Sequence, residues 1–106
     1  MPRRRQREPI ARLVGARIRF LREERKLTLD DVALDWDLSK GYLSDVESGF
    51  QSPSFSVLAK IARSLKVDLL DLFTFPEASE RQRLVEQTRR SPPAAVKRLL
   101  RDLEKR

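Results

Sequence analysis

Apolar side chains recur at three- and four-residue steps along most of the chain, which is the spacing of one face of an α-helix. Five such stripes precede residue 76, and no run alternates with the period of two typical of β-strands. Their members, helix by helix, are Ile10, Leu13, Val14, Ile18 and Leu21; Leu29, Val32, Ala33 and Trp36; Leu43 and Val46; Leu58, Ile61, Ala62 and Leu65; and Leu69, Leu70, Leu72 and Phe73. The pattern predicts an all-α domain of five helices over residues 10–75.

Short polar residues stand where these helices should begin and end. Hydroxyl and carboxylate side chains can accept hydrogen bonds from the first backbone amides of a helix, and this predicts N-terminal caps at Thr28 (with Asp31 completing a capping box), Ser39, Ser54 and Asp68. Residues that tolerate left-handed backbone predict the ends of the second and third helices at Asp37 and Gly49. The third helix is thereby predicted over residues 39–48.

Charge divides the chain into three segments. The net charge is +7 over residues 1–26, −4 over residues 27–75 and +4 over residues 76–106. The arginine-rich residues 1–9 are too polar to join a core and are predicted to form a flexible arm. Residues 76–106 are predicted to form a helical extension in which Ser91 caps a final helix. That helix has an apolar face formed by Val96, Leu99, Leu100 and Leu103, and nothing obvious covers it. We expect this face either to fold back on the domain or to pair with another copy of the chain or with a protein partner.

Composition limits the chemistry that the chain can perform. It contains neither cysteine nor histidine, so it lacks thiol nucleophiles, thiolate metal ligands and the commonest general base. We therefore expect no enzymatic activity, no metal and no cofactor. No run approaches the ~20 apolar residues of a membrane span, so we expect a cytoplasmic protein without membrane association. A net charge of +7 makes nucleic acid the first partner to consider, with a tail kept only for solubility as the alternative.

Residues 13–73 resemble the Xre/Cro-type helix-turn-helix family. The resemblance rests on the Leu-Arg-Glu run that ends the first helix, on Ala33 in the second helix, and on Tyr42-Leu43-Ser44, Glu47-x-Gly49 and Pro53, followed by a closing apolar helix. It implies the five-helix, lambda-repressor-like fold of phage repressors. It also implies a sequence-specific transcriptional regulator that places its third helix in the major groove of double-stranded DNA, as a homodimer on an inverted repeat.

The resemblance assigns a role to particular residues of this chain. Positions that read bases in the family correspond to Lys40, Gly41, Tyr42, Ser44 and Asp45. Positions that hold phosphates correspond to Thr28, Leu29, Ser39, Phe50, Gln51, Ser52 and Ser54. Arg22 and Glu47 correspond to an ion pair between the first and third helices, for which orientation is the expected role. The basic arm residues that could enter a minor groove or follow the backbone are Arg3, Arg4, Arg5 and Arg7.

Several of these positions also have a purely structural interpretation. Lys40 and Gly41 could be ordinary surface residues, Tyr42 is expected to be partly packed, and the arm could make no fixed contact. Asp45 repels phosphate unless it accepts a hydrogen bond from a cytosine amino group. Trp36 is expected in the core because it continues the stripe of the second helix. The chain also departs from the family pattern, with Thr28-Leu29 in place of a polar pair and Asp37 in place of a turn glycine.

Two other functions compete with DNA recognition. The first is a protein-interaction adaptor or antitoxin that docks on a protein partner through its C-terminal helices. The second is RNA binding through the arginine-rich ends of the chain. Accessibility of the third helix, residues 39–48, distinguishes DNA recognition from these two functions. Only DNA recognition requires the first turns of that helix to be exposed.

Overall fold

The computed structural model describes residues 8–105, in which the regular elements are seven α-helices. These are α1 (Pro9–Glu24), α2 (Leu29–Asp35), α3 (Lys40–Ser48), α4 (Phe55–Ser64), α5 (Leu69–Leu72), α6 (Glu80–Arg89) and α7 (Pro93–Glu104). The chain divides into two compact units, one ending at Phe73 and the other beginning at Thr74. We refer to residues 8–73 as unit 1 and to residues 74–105 as unit 2. The all-α class and the five helices of unit 1 are confirmed, and the division falls two residues before the predicted one.

The core of unit 1 lies where α1 packs against α3 and α4 packs against α2 and α5. Its most deeply buried large side chains, which come from α1, α3, α4, the C-cap of α4, and α5, are Leu21, Val46, Ile61, Leu65 and Leu72. Helices α3 and α4 contribute the apolar stripes that the spacing of the sequence predicts. The helix-turn-helix pair α2 and α3 therefore packs on the rest of unit 1, with α3 against α1 and α2 against α4.

The buried side of α1 differs from the predicted stripe. Ile10 and Leu13 are about half exposed, at 47% and 52%, whereas Ala11 and Gly15 are buried. The reason is the close approach of α1 to α3: a Cβ atom built on Gly15 would lie 2.2 Å from the carbonyl oxygen of Val46. Small residues therefore face α3, and the larger apolar residues of the first turns lie beside the contact. In α5 the prediction is also partly wrong, because Leu69 and Leu70 are exposed and only Leu72 is fully buried.

The predicted helix starts are confirmed in unit 1. Thr28 Oγ1 accepts a hydrogen bond from the Asp31 amide at 3.1 Å, and the Asp31 carboxylate accepts one from the Thr28 amide at 2.8 Å. Ser39 and Ser54 accept from the amides three residues later, at 3.0 and 3.2 Å. At α5 the Asp68 amide donates to Asp71 at 2.9 Å. These bonds satisfy amides that have no partner within their own helices.

Four helices of unit 1 end with a residue in left-handed backbone conformation. These residues are Lys26, Asp37, Gly49 and Lys66, with φ angles of 58°, 54°, 83° and 55°. In each case the next residue donates its amide to a carbonyl five positions earlier, as Leu38 does to Ala33 at 3.0 Å. The ends at Asp37 and Gly49 are confirmed. The left-handed conformation of Lys26 and Lys66 could not be predicted from the sequence, because lysine does not favour it.

Unit 2 consists of α6 and α7, which follow the turn after Phe73. Ser79 caps α6 by accepting from the Gln82 amide at 3.1 Å. The predicted cap at Ser91 is wrong, since α7 begins with Pro93 at its first position and Ser91 instead donates its hydroxyl to the Gln87 carbonyl. Leu99, Leu100 and Leu103 are 38–54% exposed. The apolar face of α7 is therefore largely uncovered among the residues that the structure describes.

Candidate nucleic-acid interface

Helix α3 has one buried side and one accessible side. Leu43 and Val46 are buried to 2% and 1% exposure and attach the helix to unit 1. On the accessible side Lys40, Gly41 and Ser44 are exposed, and Tyr42 and Asp45 are partly exposed. The five predicted base-reading residues therefore all belong to α3 and all reach the surface of unit 1.

The predicted phosphate-binding positions lie at the starts of α2, α3 and α4 and in the loop between α3 and α4. Thr28, Ser39 and Ser54 are exposed, and each uses its side-chain oxygen to accept from its own helix. Since a hydroxyl oxygen that accepts one bond still carries its own hydrogen, each retains a donor for an anion. Of the remaining positions, Leu29 is half-buried, and those exposed in the loop are Phe50, Gln51 and Ser52. Arg3, Arg4, Arg5 and Arg7 lie outside the described residues.

Lys40 and Asp30 form an ion pair that the sequence pattern did not predict. The Lys40 Nζ atom lies 3.8 Å from an Asp30 carboxylate oxygen, and both side chains are more than 60% exposed. A pair of this length at the surface contributes little to stability. It nevertheless places an α2 carboxylate beside the cation among the base-reading positions. Only the packing of α2 against α3 brings these residues together, since they lie ten positions apart in the chain.

Arg22 and Glu47 join α1 to α3 through two parallel hydrogen bonds. Arg22 Nε donates to one carboxylate oxygen at 2.7 Å, and Nη2 donates to the other at 3.0 Å. Arg22 Nη1 also donates to the Leu27 carbonyl at 2.7 Å. The hydrogen bond with Glu47 raises the pKa of the Arg22 guanidinium. One side chain therefore fixes α3 and the connection that leads into α2, and the Leu27 contact was not predicted.

Trp36 is half-buried and not a core residue, contrary to the prediction. It is the C-cap of α2, and its indole N–H donates to the Ser64 hydroxyl, which in turn donates to Asp35 at 3.0 Å. The charged groups of Lys60 and Arg63 lie 6.0 and 5.7 Å from the centre of its ring. An indole has a donor that needs a partner, so it lies at the edge between α2 and α4 where a hydroxyl is available.

Protonation of the Asp31 carboxylate at low pH is expected to destabilise unit 1. The hydrogen bond from the Thr28 amide lowers the pKa of Asp31 below its ordinary value of 3.8. A carboxylate whose pKa is lower in the folded state stabilises that state above its unfolded pKa, and the contribution disappears as the pH falls through the folded pKa. Below pH 3.8 the free energy of unfolding should therefore decline less steeply in Asp31→Asn than in the parent chain. A carboxyl titration of Asp31 by NMR with a midpoint above 3.8 would contradict this.

The described part of the chain offers neither a metal cluster nor a membrane-spanning helix. Within residues 8–105 there is no group of three or more acidic side chains arranged to hold a metal ion. No helix of the same segment has the length and apolar character required to cross a membrane.

An apolar cavity of about 140 Å³ lies in unit 1 between Ile10, Val14, Pro53, Phe55 and Leu58. No sequence motif pointed to this cavity.

Residues 18–72 match the helix-turn-helix family HTH_3. This segment covers just over half of the 106 residues. The chain therefore belongs to this family, which is the Xre/Cro type that the sequence resembles.

Named relatives share the helix-turn-helix segment. The immunity repressor protein of Bacillus phage phi105 is 41% identical over 56 residues, which are 53% of this chain and 39% of the repressor. The HTH-type transcriptional regulator SlrR of Bacillus subtilis (strain 168) is 34% identical over 62 residues, 58% of this chain and 41% of SlrR. This chain thus spans 39–41% of the length of these relatives. The crystal structure of the clp gene regulator ClgR from Corynebacterium glutamicum has a TM-score of 0.62 and 28% identity, covering 93% of this chain and 95% of ClgR.

Proposed function

We propose that this protein is a sequence-specific DNA-binding transcriptional regulator without enzymatic activity. Unit 1 would bind double-stranded DNA with α3 in the major groove, and the chain would act as a homodimer on an inverted repeat. It would do so in the cytoplasm, associated with the nucleoid. The relatives support this proposal because they are named as an immunity repressor and a transcriptional regulator.

The observation that carries the proposal is the accessibility of the first turns of α3. A recognition helix must be attached to its domain by one side and must expose the other to the edges of the bases. Leu43 and Val46 supply the attachment, and Lys40, Gly41 and Ser44 supply the exposed side. Exposed cap residues also stand at the starts of α2, α3 and α4, and backbone amides at helix starts are suited to phosphate.

Each exposed group of α3 has a matching chemistry in the major groove. Lys40 can donate to guanine O6 and N7 once it separates from Asp30, and Ser44 can either donate or accept. Asp45 can accept from the amino group of cytosine. Tyr42 has a hydroxyl that can reach a base or a phosphate. Gly41 contributes no side chain and allows the backbone itself to approach the duplex.

Selection of bound sequences from a random DNA pool tests the proposal directly. The expected product is an inverted repeat whose half-sites are centred about one helical turn, or roughly 10 base pairs, apart. Binding of the selected duplex should weaken steeply with salt. Absence of any enriched sequence, together with equal affinity for random duplexes, would contradict sequence-specific recognition. Sedimentation that shows only monomers with and without the selected DNA would contradict the homodimer.

Replacing Gly41 with alanine is expected to change stability and DNA affinity in opposite directions. No heavy atom lies within 4 Å of a Cβ built at this position, so the methyl group meets nothing in the free protein. Alanine should therefore stabilise α3 by about 0.5–1 kcal/mol. On DNA the methyl group would stand between the backbone and the bases, and affinity for the selected site should fall about tenfold, or ~1.4 kcal/mol. Urea unfolding and a binding titration on the same preparation measure both quantities.

The second candidate function is that of an adaptor that binds a protein partner through unit 2. The exposed leucines of α7 favour it. An adaptor would lose its partner when Leu99 and Leu103 become polar and would be indifferent to Gly41→Ala. A homodimeric DNA reader would instead lose both self-association and cooperative DNA binding in the leucine variant. Comparing the two variants in sedimentation and DNA titration separates these outcomes.

A further inference from the structure

Helix α7 carries a stripe of positive charge opposite its apolar face. Lys97, Arg101 and the C-cap residue Lys105 follow one another at four-residue steps, and Arg98 lies beside them. At 3.6 residues per turn these four side chains fall within roughly 100° of the helix circumference, on the side away from Leu99, Leu100 and Leu103. All four are exposed. We refer to these four residues as the cationic stripe.

The cationic stripe is not neutralised by neighbouring carboxylates. None of its four members is ion-paired within residues 8–105, although Asp102 and Glu104 belong to the same helix. Like charges four residues apart destabilise a helix by roughly 0.2–0.5 kcal/mol per pair. In α6, by contrast, Arg89 donates to the Glu86 carboxylate at 2.7 and 3.0 Å. The charge of the stripe therefore remains available to an external anion.

Some of the cations of unit 1 are held by carboxylates of the same unit. Arg19 is paired with Glu23 at 2.9 Å, Arg22 with Glu47 at 2.7 Å and Lys40 with Asp30 at 3.8 Å. Among the predicted base and phosphate positions Lys40 is the one cation, and Asp45 opposes it. Neutral hydroxyls and amides can orient phosphates, but they release few counterions. The predicted base and phosphate positions of unit 1 thus carry little of the charge that usually supplies affinity.

We propose that the cationic stripe of α7 is a phosphate-binding surface that contributes to the salt-dependent part of DNA affinity. The inference rests on the proposed function and assigns this part of it to unit 2. The three cations at four-residue steps span about 12 Å along the helix. Successive charges lie about 6 Å apart along the helix, a spacing at which each can face a different phosphate of a DNA backbone. The apolar face remains free for self-association.

The test is a salt titration of the full chain with Lys97→Gln/Arg101→Gln/Lys105→Gln. Glutamine retains helix propensity and removes only the charge. Each lost phosphate contact should reduce the slope of log affinity against log salt by about 0.9, so the triple variant should lose about 2–3. Affinity near 0.1 M salt should fall about tenfold to hundredfold for the selected and random duplexes alike. The ratio of the two affinities should be unchanged, because phosphate contacts carry no sequence information.

A matched variant, Arg25→Gln/Arg81→Gln/Arg83→Gln, removes the same charge from the exposed C-cap residue of α1 and from exposed positions of α6. It should keep most of the slope, and an equal loss in both variants would overturn the proposal. An unchanged slope in the α7 variant would also overturn it. If circular dichroism shows that the triple variant is unfolded, each single substitution should still lower the slope by about 0.9.

Two further outcomes separate this inference from the proposed function and from a lipid partner. If the parent chain binds the selected site and Gly41→Ala weakens it while the α7 variant binds normally, only the stripe assignment fails. If the parent chain binds no duplex, the proposed function fails as well. Tighter binding to vesicles of phosphatidylglycerol than to random DNA, lost in the α7 variant, would assign the stripe to a membrane surface and overturn the proposal.

Discussion

Replacing Gly15 with alanine is expected to lower the free energy of unfolding by about 3 kcal/mol, a large part of the stability of a small domain. The new Cβ atom would lie 2.2 Å from the Val46 carbonyl oxygen and 2.7 Å from that of Glu47. Both contacts are with backbone, so no side chain can rotate away, and α1 must separate from α3. The greater helix propensity of alanine offsets only about 1 kcal/mol of this cost.

Gly41→Ala is the matched control for this prediction. Both glycines lie within helices and both receive the same methyl group, but only Gly15 faces a neighbouring backbone. A loss of about 3 kcal/mol corresponds to a fall in melting temperature of about 12–24 °C for a domain of this size, whereas Gly41→Ala should raise it. Calorimetry on the two variants measures this difference. Equal melting temperatures for the two variants would show that α1 and α3 are not in close contact.

Replacing Glu47 with alanine is expected to lower the free energy of unfolding by about 3–5 kcal/mol. The side chains of Arg22 and Glu47 are only 13% and 8% exposed, so the substitution leaves a guanidinium in a poorly hydrated site. Arg22 retains its 2.7 Å hydrogen bond to the Leu27 carbonyl and a longer, 4.0 Å ion pair with the exposed Glu23 carboxylate. Chemical denaturation of the variant measures the loss. A change below about 1 kcal/mol, as for an exposed pair, would contradict the prediction.

The double variant Arg22→Met/Glu47→Met distinguishes stability from orientation. Removing both charges avoids the unpaired guanidinium, so the double variant should be more stable than Glu47→Ala. If the pair serves chiefly to orient α3, affinity for the selected DNA site should remain low in the double variant although much of the stability returns. Recovery of both quantities together would show that packing alone positions α3.

The sequence predicts those features of unit 1 that depend on neighbouring residues. A Thr28–Asp31 capping box and the caps at Ser39 and Ser54 involve residues three positions apart, so the backbone geometry of one helix turn determines them. The apolar stripes of α3 and α4 were predicted for the same reason. These local signals define the ends and the buried side of α3 well enough to predict which residues of that helix are exposed.

Features that depend on the distance between two helices could not be predicted. Ile10 and Leu13 have the same helical spacing as buried residues, and only the approach of α3 to Gly15 shows which side of α1 is covered. The Asp30–Lys40 pair likewise depends on how α2 crosses α3. Trp36 continues an apolar stripe in the sequence, but the hydroxyl of Ser64 at the edge of α4 determines where its indole lies. Each of these cases requires tertiary information.

The position of Trp36 gives unit 1 an intrinsic optical reporter. It is the single tryptophan of the 106 residues, so all indole fluorescence originates at the junction of α2 and α4. Its hydrogen bond to Ser64 and the two cations beside its ring make the emission wavelength sensitive to any separation of those helices. Unlabelled protein can therefore be followed by its own emission, and rearrangement of the helix-turn-helix can be timed without attaching a dye.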